Sequence, residues 1–312
     1  MDRIIEKALG GDHRSIARLI TAVESEADSS RKIMQSVYPH TGKAYFIGVT
    51  GSPGAGKSTF LDKLISSMMA AGQSIGVIAV DPSSPFTGGA VLGDRLRMQG
   101  HSLDPGVFIR SMGSRGSLGG LSRGTYEAAL ILDACGKDVV LIETVGVGQS
   151  EIDIVKIADT VALLLVPGMG DDIQIMKAGI MEIADVFIVN KADRDGSERV
   201  VREVNIMLDL QSGKEWRPPV VPTIAESGEG VELAARSLSD HRRYLASSPE
   251  GERRKRRRHR LEVEEIVKRE IAKIVEKTWD DRISAGILED LEYRRTDPYT
   301  VAGDLLSKVL SG

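Results

Sequence analysis

Six short apolar runs recur between residues 44 and 225, and longer stretches with helical spacing separate them. The runs cover residues 44–50, 74–80, 138–144, 160–166, 185–190 and 220–225. They are apolar nearly throughout instead of alternating, which is typical of strands buried on both faces of a parallel sheet. The stretches between them, such as residues 58–71 and 126–134, predict helices that cross over between parallel strands. The pattern therefore predicts an α/β fold with a doubly wound, mostly parallel sheet.

Helical patterns extend this predicted sheet at both ends. Near the start, Asp12 is a good N-cap for a helix with one apolar face. That face is formed by Ile16, Leu19, Ile20 and Val23. Near the other end, residues 248–251 have the composition of a linker. We therefore predict an N-terminal helical extension over residues 1–40, an α/β domain over residues 41–247, and a helical segment for dimerisation or partner binding over residues 248–312.

The C-terminal segment combines a basic run with an amphipathic helix. Seven Lys and Arg residues lie between positions 253 and 260. Apolar residues at helical spacing follow them: Val263, Ile266, Val267, Ile271, Ile274 and Val275. A helix with such a stripe must bury it, either against the α/β domain of the same chain or against a second copy. The basic run either meets an anionic surface or a CoA phosphate, or is a solvated helix start.

Composition narrows the class of protein and its compartment. The formal net charge of the 312 residues is −4, so we expect no nucleic-acid partner. No apolar run approaches the roughly 20 residues that span a bilayer, and four of the first seven residues are charged where a signal peptide would need an apolar core. We therefore expect a cytoplasmic protein without membrane association. The single cysteine, Cys135, cannot form an internal disulfide, and we expect it to be buried.

Residues 51–58 match the phosphate-loop pattern G-x-x-x-x-G-K-[ST] in full, between a predicted strand and a predicted helix. The glycines let backbone N–H groups converge on phosphate oxygens, and the helix N-terminus adds partial positive charge. Lys57 could reach the β- and γ-phosphates, and the Ser58 hydroxyl could ligate Mg²⁺. The expected nucleotide-binding residues of this loop are Gly51, Ser52, Pro53, Gly54, Ala55, Gly56, Lys57, Ser58 and Thr59.

Three carboxylates are candidates for holding Mg²⁺ beside this loop. Asp81 and Glu143 each end a predicted strand, and Asp94 lies in the Gly-rich stretch after the second strand. Because Mg²⁺ takes oxygen ligands and keeps several waters, not all three need be direct ligands. Asp94 could instead pair with Arg95 or Arg97, and Asp81 could be a turn residue before Pro82.

A second motif, Asn190-Lys191-Ala192-Asp193, follows the fifth predicted strand and resembles the guanine-recognition motif of GTPases. The Asp193 carboxylate can accept hydrogen bonds from guanine N1–H and the 2-amino group, and adenine offers neither. Further on stand Ile224, Ala225 and Glu226, where GTPases commonly place a Ser-Ala-x segment whose backbone contacts guanine O6. The sequence therefore predicts GTP as substrate and GDP as product.

Longer matches identify a family resemblance that covers nearly the whole chain. Besides the phosphate loop, the sequence contains D-P-S-S-P-F-T-G-G from Asp81, G-D-R-L-R-M from Gly93, E-T-V-G-V-G-Q-S-E from Glu143 and P-G-M-G-D-D from Pro167. Together these resemble the MeaB/ArgK-type GTPases. That family comprises accessory proteins of methylmalonyl-CoA mutase, and its human counterpart is the methylmalonic aciduria type A protein.

The resemblance implies a homodimeric, Mg²⁺-dependent GTPase that binds an adenosylcobalamin-dependent acyl-CoA mutase. It also implies that the GTPase gates cofactor loading and protects the mutase from inactivation. Carried over, Ser58, Asp81, Asp94 and Glu143 would surround Mg²⁺. The segment 168–177 would be a mobile switch that signals to the mutase, with Asp171 and Lys177 as its candidate residues. Lys177 would also join Lys57 and Glu143 as a catalytic candidate.

Two other functions remain open from the residues. A metal-delivery GTPase for a nickel enzyme shares the general plan but normally carries Cys and His ligands, and this chain has one Cys and five His. An ATP-dependent small-molecule kinase is opposed by Asp193. The hydrolytic machinery also has a gap, because Val147 stands where small signalling GTPases place a glutamine. We therefore expect slow hydrolysis by the free protein and faster hydrolysis with a partner.

Overall fold

The computed structural model describes residues 1–25, 27, 29–81, 99–101, 103–113, 123–144, 150–168, 179–210, 215–278 and 281–311. The chain divides into two compact units, Met1–Gly251 and Glu252–Gly312. Within the described ranges, no helix is both long enough and apolar enough to cross a membrane.

A seven-stranded sheet forms the centre of the first unit. Its strands are β1 (Tyr45–Gly51), β2 (Ile75–Asp81), β3 (Val107–Gly113), β4 (Val139–Glu143), β5 (Thr160–Leu165), β6 (Val186–Asn190) and β7 (Val220–Thr223). They lie in the order β3-β2-β4-β1-β5-β6-β7, and each neighbouring pair is parallel. The predicted doubly wound α/β fold is confirmed, with β1 in the middle of the sheet.

Helices flank the sheet in the first unit, and further helices follow it along the chain in the second. In the first unit they are α1 (Asp2–Leu9), α2 (His13–Glu24), α3 (Ser30–Val37), α4 (Lys57–Ala70), α5 (Arg123–Ala134), α6 (Ser150–Asp153), α7 (Ile180–Ile183), α8 (Ser197–Leu210) and α9 (Val231–Ser247). Helix α10 (Pro249–Thr278) begins in the first unit and continues into the second, where α11 (Asp281–Glu292) and α12 (Pro298–Ser311) follow.

The helices cover both faces of the sheet. One apolar core joins α1, α2, α3 and α5 to the sheet, and Ile16 and Ile131 are among its fully buried residues. The other core joins α4 and α9 to the opposite face, with Phe60 and Leu238 fully buried. As predicted, Asp12 caps α2, because its Oδ2 accepts a hydrogen bond from the Ser15 amide at 2.8 Å. The N-terminal helices therefore form part of the main core.

The junction between these helices and β1 is organised by Asp133, a buried residue of α5. Its carboxylate accepts hydrogen bonds from three consecutive amides, those of Gly42 at 2.6 Å, Lys43 at 3.1 Å and Ala44 at 2.9 Å. Hydrogen bonds to a charged acceptor are stronger than neutral ones. The carboxylate thus fixes the chain directly before β1 begins.

The amino ends of the strands carry a buried polar network. The Tyr45 hydroxyl is hydrogen-bonded to Thr160 Oγ1 and donates to the Leu238 carbonyl at 3.0 Å. Thr160 Oγ1 lies 2.6 Å from His241 Nδ1, and His241 Nε2 lies 3.4 Å from Asp185 Oδ1. Burial raises the pKa of the Tyr45 hydroxyl. This network fastens α9 to the edge of the sheet where the strands begin.

Two features differ from the prediction. The strand β3 was not predicted, because its sequence Val-Phe-Ile-Arg-Ser-Met-Gly contains polar residues and it lies at the sheet edge, half-buried in its middle. The residues 248–251, which have the composition of a linker, are mostly helical, because Pro249 begins α10 directly after Ser248, although the two units divide directly after Gly251. Proline is well suited to the first helical position, where its missing N–H needs no partner.

Helix α10 carries both the basic run and the apolar stripe. Four stripe residues are solvent-exposed in the chain, with exposed fractions from 40 to 59%: Val263, Val267, Ile271 and Ile274. They recur at intervals of three and four residues and so share one helix face. Among the basic residues, Arg260 pairs with Glu264 at 2.7 Å and Lys255 lies 3.8 Å from Glu252.

Candidate nucleotide site

The phosphate loop connects the central strand β1 to α4. Gly56 takes the N-cap position of α4 with φ of 86°, and a Cβ there would lie 2.5 Å from Asn190 Nδ2. Gly51 has φ of 142°, and a Cβ there would lie 2.3 Å from the Leu164 carbonyl oxygen. Both positions therefore require glycine. Pro53 and Gly54 are exposed at the tip of the loop, whereas Ser52 and Ala55 are buried.

Lys57 is the first residue of α4 and is buried, with 7% of it exposed. Its ammonium group donates to the carbonyl oxygens of Gly51 at 2.7 Å and Ser52 at 3.0 Å. The side chain thus lies along its own loop at the N-terminus of α4. An anion bound at this helix end would meet the ammonium group together with backbone N–H groups.

Ser58 and Glu143 meet next to the loop. The Ser58 hydroxyl donates to Glu143 Oε1 at 2.8 Å, and the two residues are 4 and 3% exposed. Glu143 ends β4, which lies beside β1, and it is in register with Ala79 of β2. Asp81 ends β2 two residues further on, at the same carboxyl edge of the sheet. The Ser58 hydroxyl and the Glu143 carboxylate are oxygen donors of the kind that Mg²⁺ requires, so this pair fits that ion.

Asn190, the last residue of β6, is buried and joins three parts of the site. Its Nδ2 donates to the Ala55 carbonyl of the phosphate loop at 2.8 Å. Its Oδ1 accepts from the Ala225 amide at 3.0 Å and from the Thr223 hydroxyl at 3.2 Å. One side chain therefore holds the phosphate loop against the segment that follows β7.

Lys191 makes a second connection from the base motif to the loop. Its ammonium group donates to the Gly54 carbonyl at 2.8 Å, and its backbone has a left-handed φ of 56°. The following amide, of Ala192, donates to the Thr223 carbonyl at 3.0 Å. Asp193 comes next, in an exposed turn, so its carboxylate is open to a ligand from solvent.

Residues 224–226 follow β7 as a tight turn. Ile224 pairs with Glu229, its amide donating to the Glu229 carbonyl at 3.0 Å. Ala225 is buried, and its amide is bonded to Asn190, whereas Glu226 is exposed. The chain thus places the end of β7 beside the base motif.

Several predicted site residues lie outside the described residues. Asp94, Asp171 and Lys177 are among them. Arg110 of β3 pairs with Glu24 at 2.6 Å and with the Thr21 hydroxyl at 3.1 Å. It ties β3 to α2.

Sequence reasoning missed three threonines of the site, Thr50, Thr144 and Thr223. Thr223 bonds Asn190, and the Thr144 hydroxyl donates to Thr50 at 2.8 Å. All three stand at or next to the carboxyl end of a strand. A threonine at the carboxyl end of a predicted strand was the signal in the sequence that could have identified these residues. Their hydroxyl contacts, however, join residues far apart in sequence.

A metal centre built on cysteine and histidine was the signal expected of a nickel-delivery protein. Across the described part of the chain, no group of three or more His, Cys, Asp or Glu residues is placed to hold a metal ion. Cys135 is buried, and burial raises the pKa of its thiol to about 12.

A parallel sheet with a phosphate loop after its central strand, an acid at the end of the neighbouring strand and an Asn-Lys-x-Asp motif after β6 defines a P-loop GTPase. The family model described as methylmalonyl Co-A mutase-associated GTPase MeaB matches residues 16–280. The chain therefore belongs to the MeaB family.

Relatives and solved structures are consistent with this membership. A protein of Pyrococcus abyssi to which GTPase activity is ascribed is 50% identical over 316 residues, covering 100% of this chain and 98% of that protein. The mitochondrial methylmalonic aciduria type A homolog of Mus musculus is 34% identical over 280 residues, covering 84% of this chain and 68% of that protein. A crystal structure described as an LAO/AO transport system kinase has a TM-score of 0.69 and 27% identity, covering 99% of this chain and 97% of that one.

Proposed function

We propose that this GTPase binds GTP with its phosphates along residues 51–59 and its guanine at Asp193, and releases GDP and phosphate. The contacts of Asn190 with Ala55 and of Lys191 with Gly54 carry this proposal. They bring the base motif against the phosphate loop, so one nucleotide can reach both. Asp193 would select guanine by accepting from its N1–H and 2-amino groups.

Mg²⁺ would be held by Ser58 and Glu143, with Asp81 at the same edge of the sheet and Asp94 as a further candidate. When bound, the ion would neutralise charge on the phosphates. Of the chain's own groups, Lys57 would leave the Gly51 and Ser52 carbonyls and pair with phosphate oxygens. The loop amides would add fixed donors. Lys177 is proposed as a further catalytic residue from the family resemblance.

The partner we propose is an adenosylcobalamin-dependent acyl-CoA mutase of the methylmalonyl type. The family's description as mutase-associated supports this partner. In this proposal the GTPase acts as an accessory chaperone that gates cofactor loading and protects the mutase. Because Val147 stands where a water-positioning glutamine is usual, the free protein is expected to hydrolyse GTP slowly.

Single-turnover hydrolysis tests the partner assignment. The GTPase is mixed with limiting GTP, with and without purified methylmalonyl-CoA mutase, and phosphate release is followed over time. A rate increase of about a thousandfold or more, the lower end of the range for groups that a partner supplies to a GTPase site, supports the proposal. Equal rates in the two mixtures, together with no co-elution of the two proteins, would contradict it. Bovine serum albumin at the same concentration controls for crowding.

We also propose a homodimer in which the exposed stripe of α10 is covered by a second copy. Four aliphatic side chains between 40 and 59% exposed on one helix face support this assembly. Exposure of such an apolar stripe to water is unfavourable, and a second copy supplies the same stripe for self-complementary packing.

A further inference from the structure

The ends of β1 and β4 are joined by a pair of threonine hydroxyls. Thr144 Oγ1 donates to Thr50 Oγ1 at 2.8 Å, and the two residues are 1 and 0% exposed. Thr144 also donates its amide to the Val49 carbonyl at 3.1 Å. Both side chains are β-branched, so their χ1 rotamers are restricted and the hydroxyls are held in place.

This pair lies where β1 parts from β4. The register between the two strands ends at Val49 and Glu143, whereas β1 continues along β5 until Gly51 is opposite Leu164. Directly after Glu143, the Thr144–Thr50 bond is therefore a side-chain link between the ends of β4 and β1. In a water-excluded site such a bond is stronger than in solvent.

The threonine pair also belongs to a ring of contacts that includes Ser58 and Glu143, the two residues proposed to hold Mg²⁺. Thr50 precedes Gly51, whose carbonyl accepts from Lys57 Nζ at 2.7 Å. Thr144 follows Glu143, whose Oε1 accepts from Ser58 Oγ at 2.8 Å. Lys57 and Ser58 are consecutive residues, so these contacts form a closed ring. The Thr50–Thr144 bond therefore lies one residue before Gly51 of the phosphate loop and one residue after Glu143.

We infer that Thr50 and Thr144 are positioning residues, and that their hydroxyl bond sets the separation of Ser58 and Glu143 for Mg²⁺-dependent nucleotide binding. This inference rests on the proposed function, in which Ser58 and Glu143 hold the ion. Neither threonine contacts the ion or the nucleotide in this assignment. They act by fixing the strand ends from which the two ligands project, and Mg²⁺ is sensitive to such errors because it demands near-octahedral geometry.

The experiment measures how much Mg²⁺ is needed for half-maximal binding of a non-hydrolysable GTP analogue, by calorimetry. Thr50→Val and Thr144→Val keep the side-chain shape and remove the hydroxyls. Each is expected to raise the half-maximal Mg²⁺ concentration about threefold to tenfold, the range that the loss of one hydrogen bond produces. GDP affinity measured in EDTA should stay close to that of the wild type, which also verifies that each variant is folded.

Four further variants make the result specific. The double variant should need no more Mg²⁺ than either single variant, because both single changes remove the same bond. Thr144→Ser retains the hydroxyl and should restore the wild-type Mg²⁺ requirement, whereas Thr144→Ala should not. Thr160→Val is the matched control, since it removes a fully buried hydroxyl at the opposite edge of the sheet. It should lower thermal stability without changing the Mg²⁺ requirement.

An unchanged Mg²⁺ requirement in both single valine variants would overturn the inference, and so would an equal shift in Thr160→Val. Additive effects in the double variant would also overturn it, because the two hydroxyls would then act separately. A wild-type protein that binds neither GDP nor the GTP analogue would instead refute the proposed function. The two failures are therefore distinguishable.

Discussion

Replacing Asn190 with alanine should damage both the stability of the fold and the binding of the nucleotide. The asparagine makes three hydrogen bonds, to the Ala55 carbonyl, the Ala225 amide and the Thr223 hydroxyl. Ala55, Thr223 and Ala225 are buried, with 0, 1 and 3% exposed, so water cannot readily replace the lost partner. At about 1 kcal/mol for each bond, Asn190→Ala should lower the free energy of unfolding by about 3 kcal/mol.

Urea unfolding followed by circular dichroism measures this change, and calorimetric titration with GDP measures the loss of affinity, expected to be at least about tenfold. Asn205→Ala is the matched control. Its Nδ2 bonds the Val201 carbonyl one turn away and its Oδ1 accepts from Arg217 in an exposed contact. Its effect on unfolding should stay within about 0.5 kcal/mol.

A second variant separates the two halves of the Asn190 side chain. Asn190→Asp keeps an acceptor for the Ala225 amide but loses the donor, and it sets a carboxylate oxygen against the Ala55 carbonyl. It should retain more stability than the alanine variant at acidic pH and lose the advantage when the carboxylate ionises. The reasoning fails if Asn190→Ala unfolds within about 0.5 kcal/mol of the wild type, or if it is destabilised while GDP affinity is unchanged.

Two other changes test the base site and the dimer. Asp193→Asn should weaken GTP binding by at least about a hundredfold and favour xanthosine triphosphate. Asp195→Asn, two residues away, should bind GTP normally. A wild-type protein that prefers ATP in calorimetry would contradict the base assignment. Ile271→Glu should convert a dimer to a monomer in light scattering, because it would bury a charge in the stripe of α10. Leu210→Glu, at an exposed position of α8, should leave the dimer intact. A wild-type protein that is monomeric at micromolar concentration would refute the dimer.

The strands of the sheet could be predicted because most of them are buried on both faces. Five of the six apolar runs became strands within one residue of the predicted bounds, and the sixth, over residues 220–225, became the strand β7, which ends two residues earlier. The strand β3 could not be found in this way. It lies at the edge of the sheet, where Arg110 and Ser111 are half-exposed and interrupt the apolar pattern.

The site was predictable at the level of motifs but not of contacts. The phosphate loop and the Asn-Lys-x-Asp motif have fixed spacings that local sequence displays. The bonds from Asn190 to Ala55 and from Thr144 to Thr50 join residues 135 and 94 positions apart. Such pairs depend on strand order and register, which the sequence pattern leaves open. The same holds for Ser58 and Glu143, which were expected near one ion without any expectation of a direct bond.

The three amides that converge on Asp133 have a consequence for the architecture of the chain. Residues 42–44 look like an ordinary connection before a strand, the kind of place where new chain ends or insertions are usually tolerated. Here the backbone itself is the ligand of a buried carboxylate, so a cut or an added residue would leave that charge without its partners. The helices that precede the sheet are for this reason a fixed part of the α/β domain, and we expect that they cannot be exchanged as a separate unit.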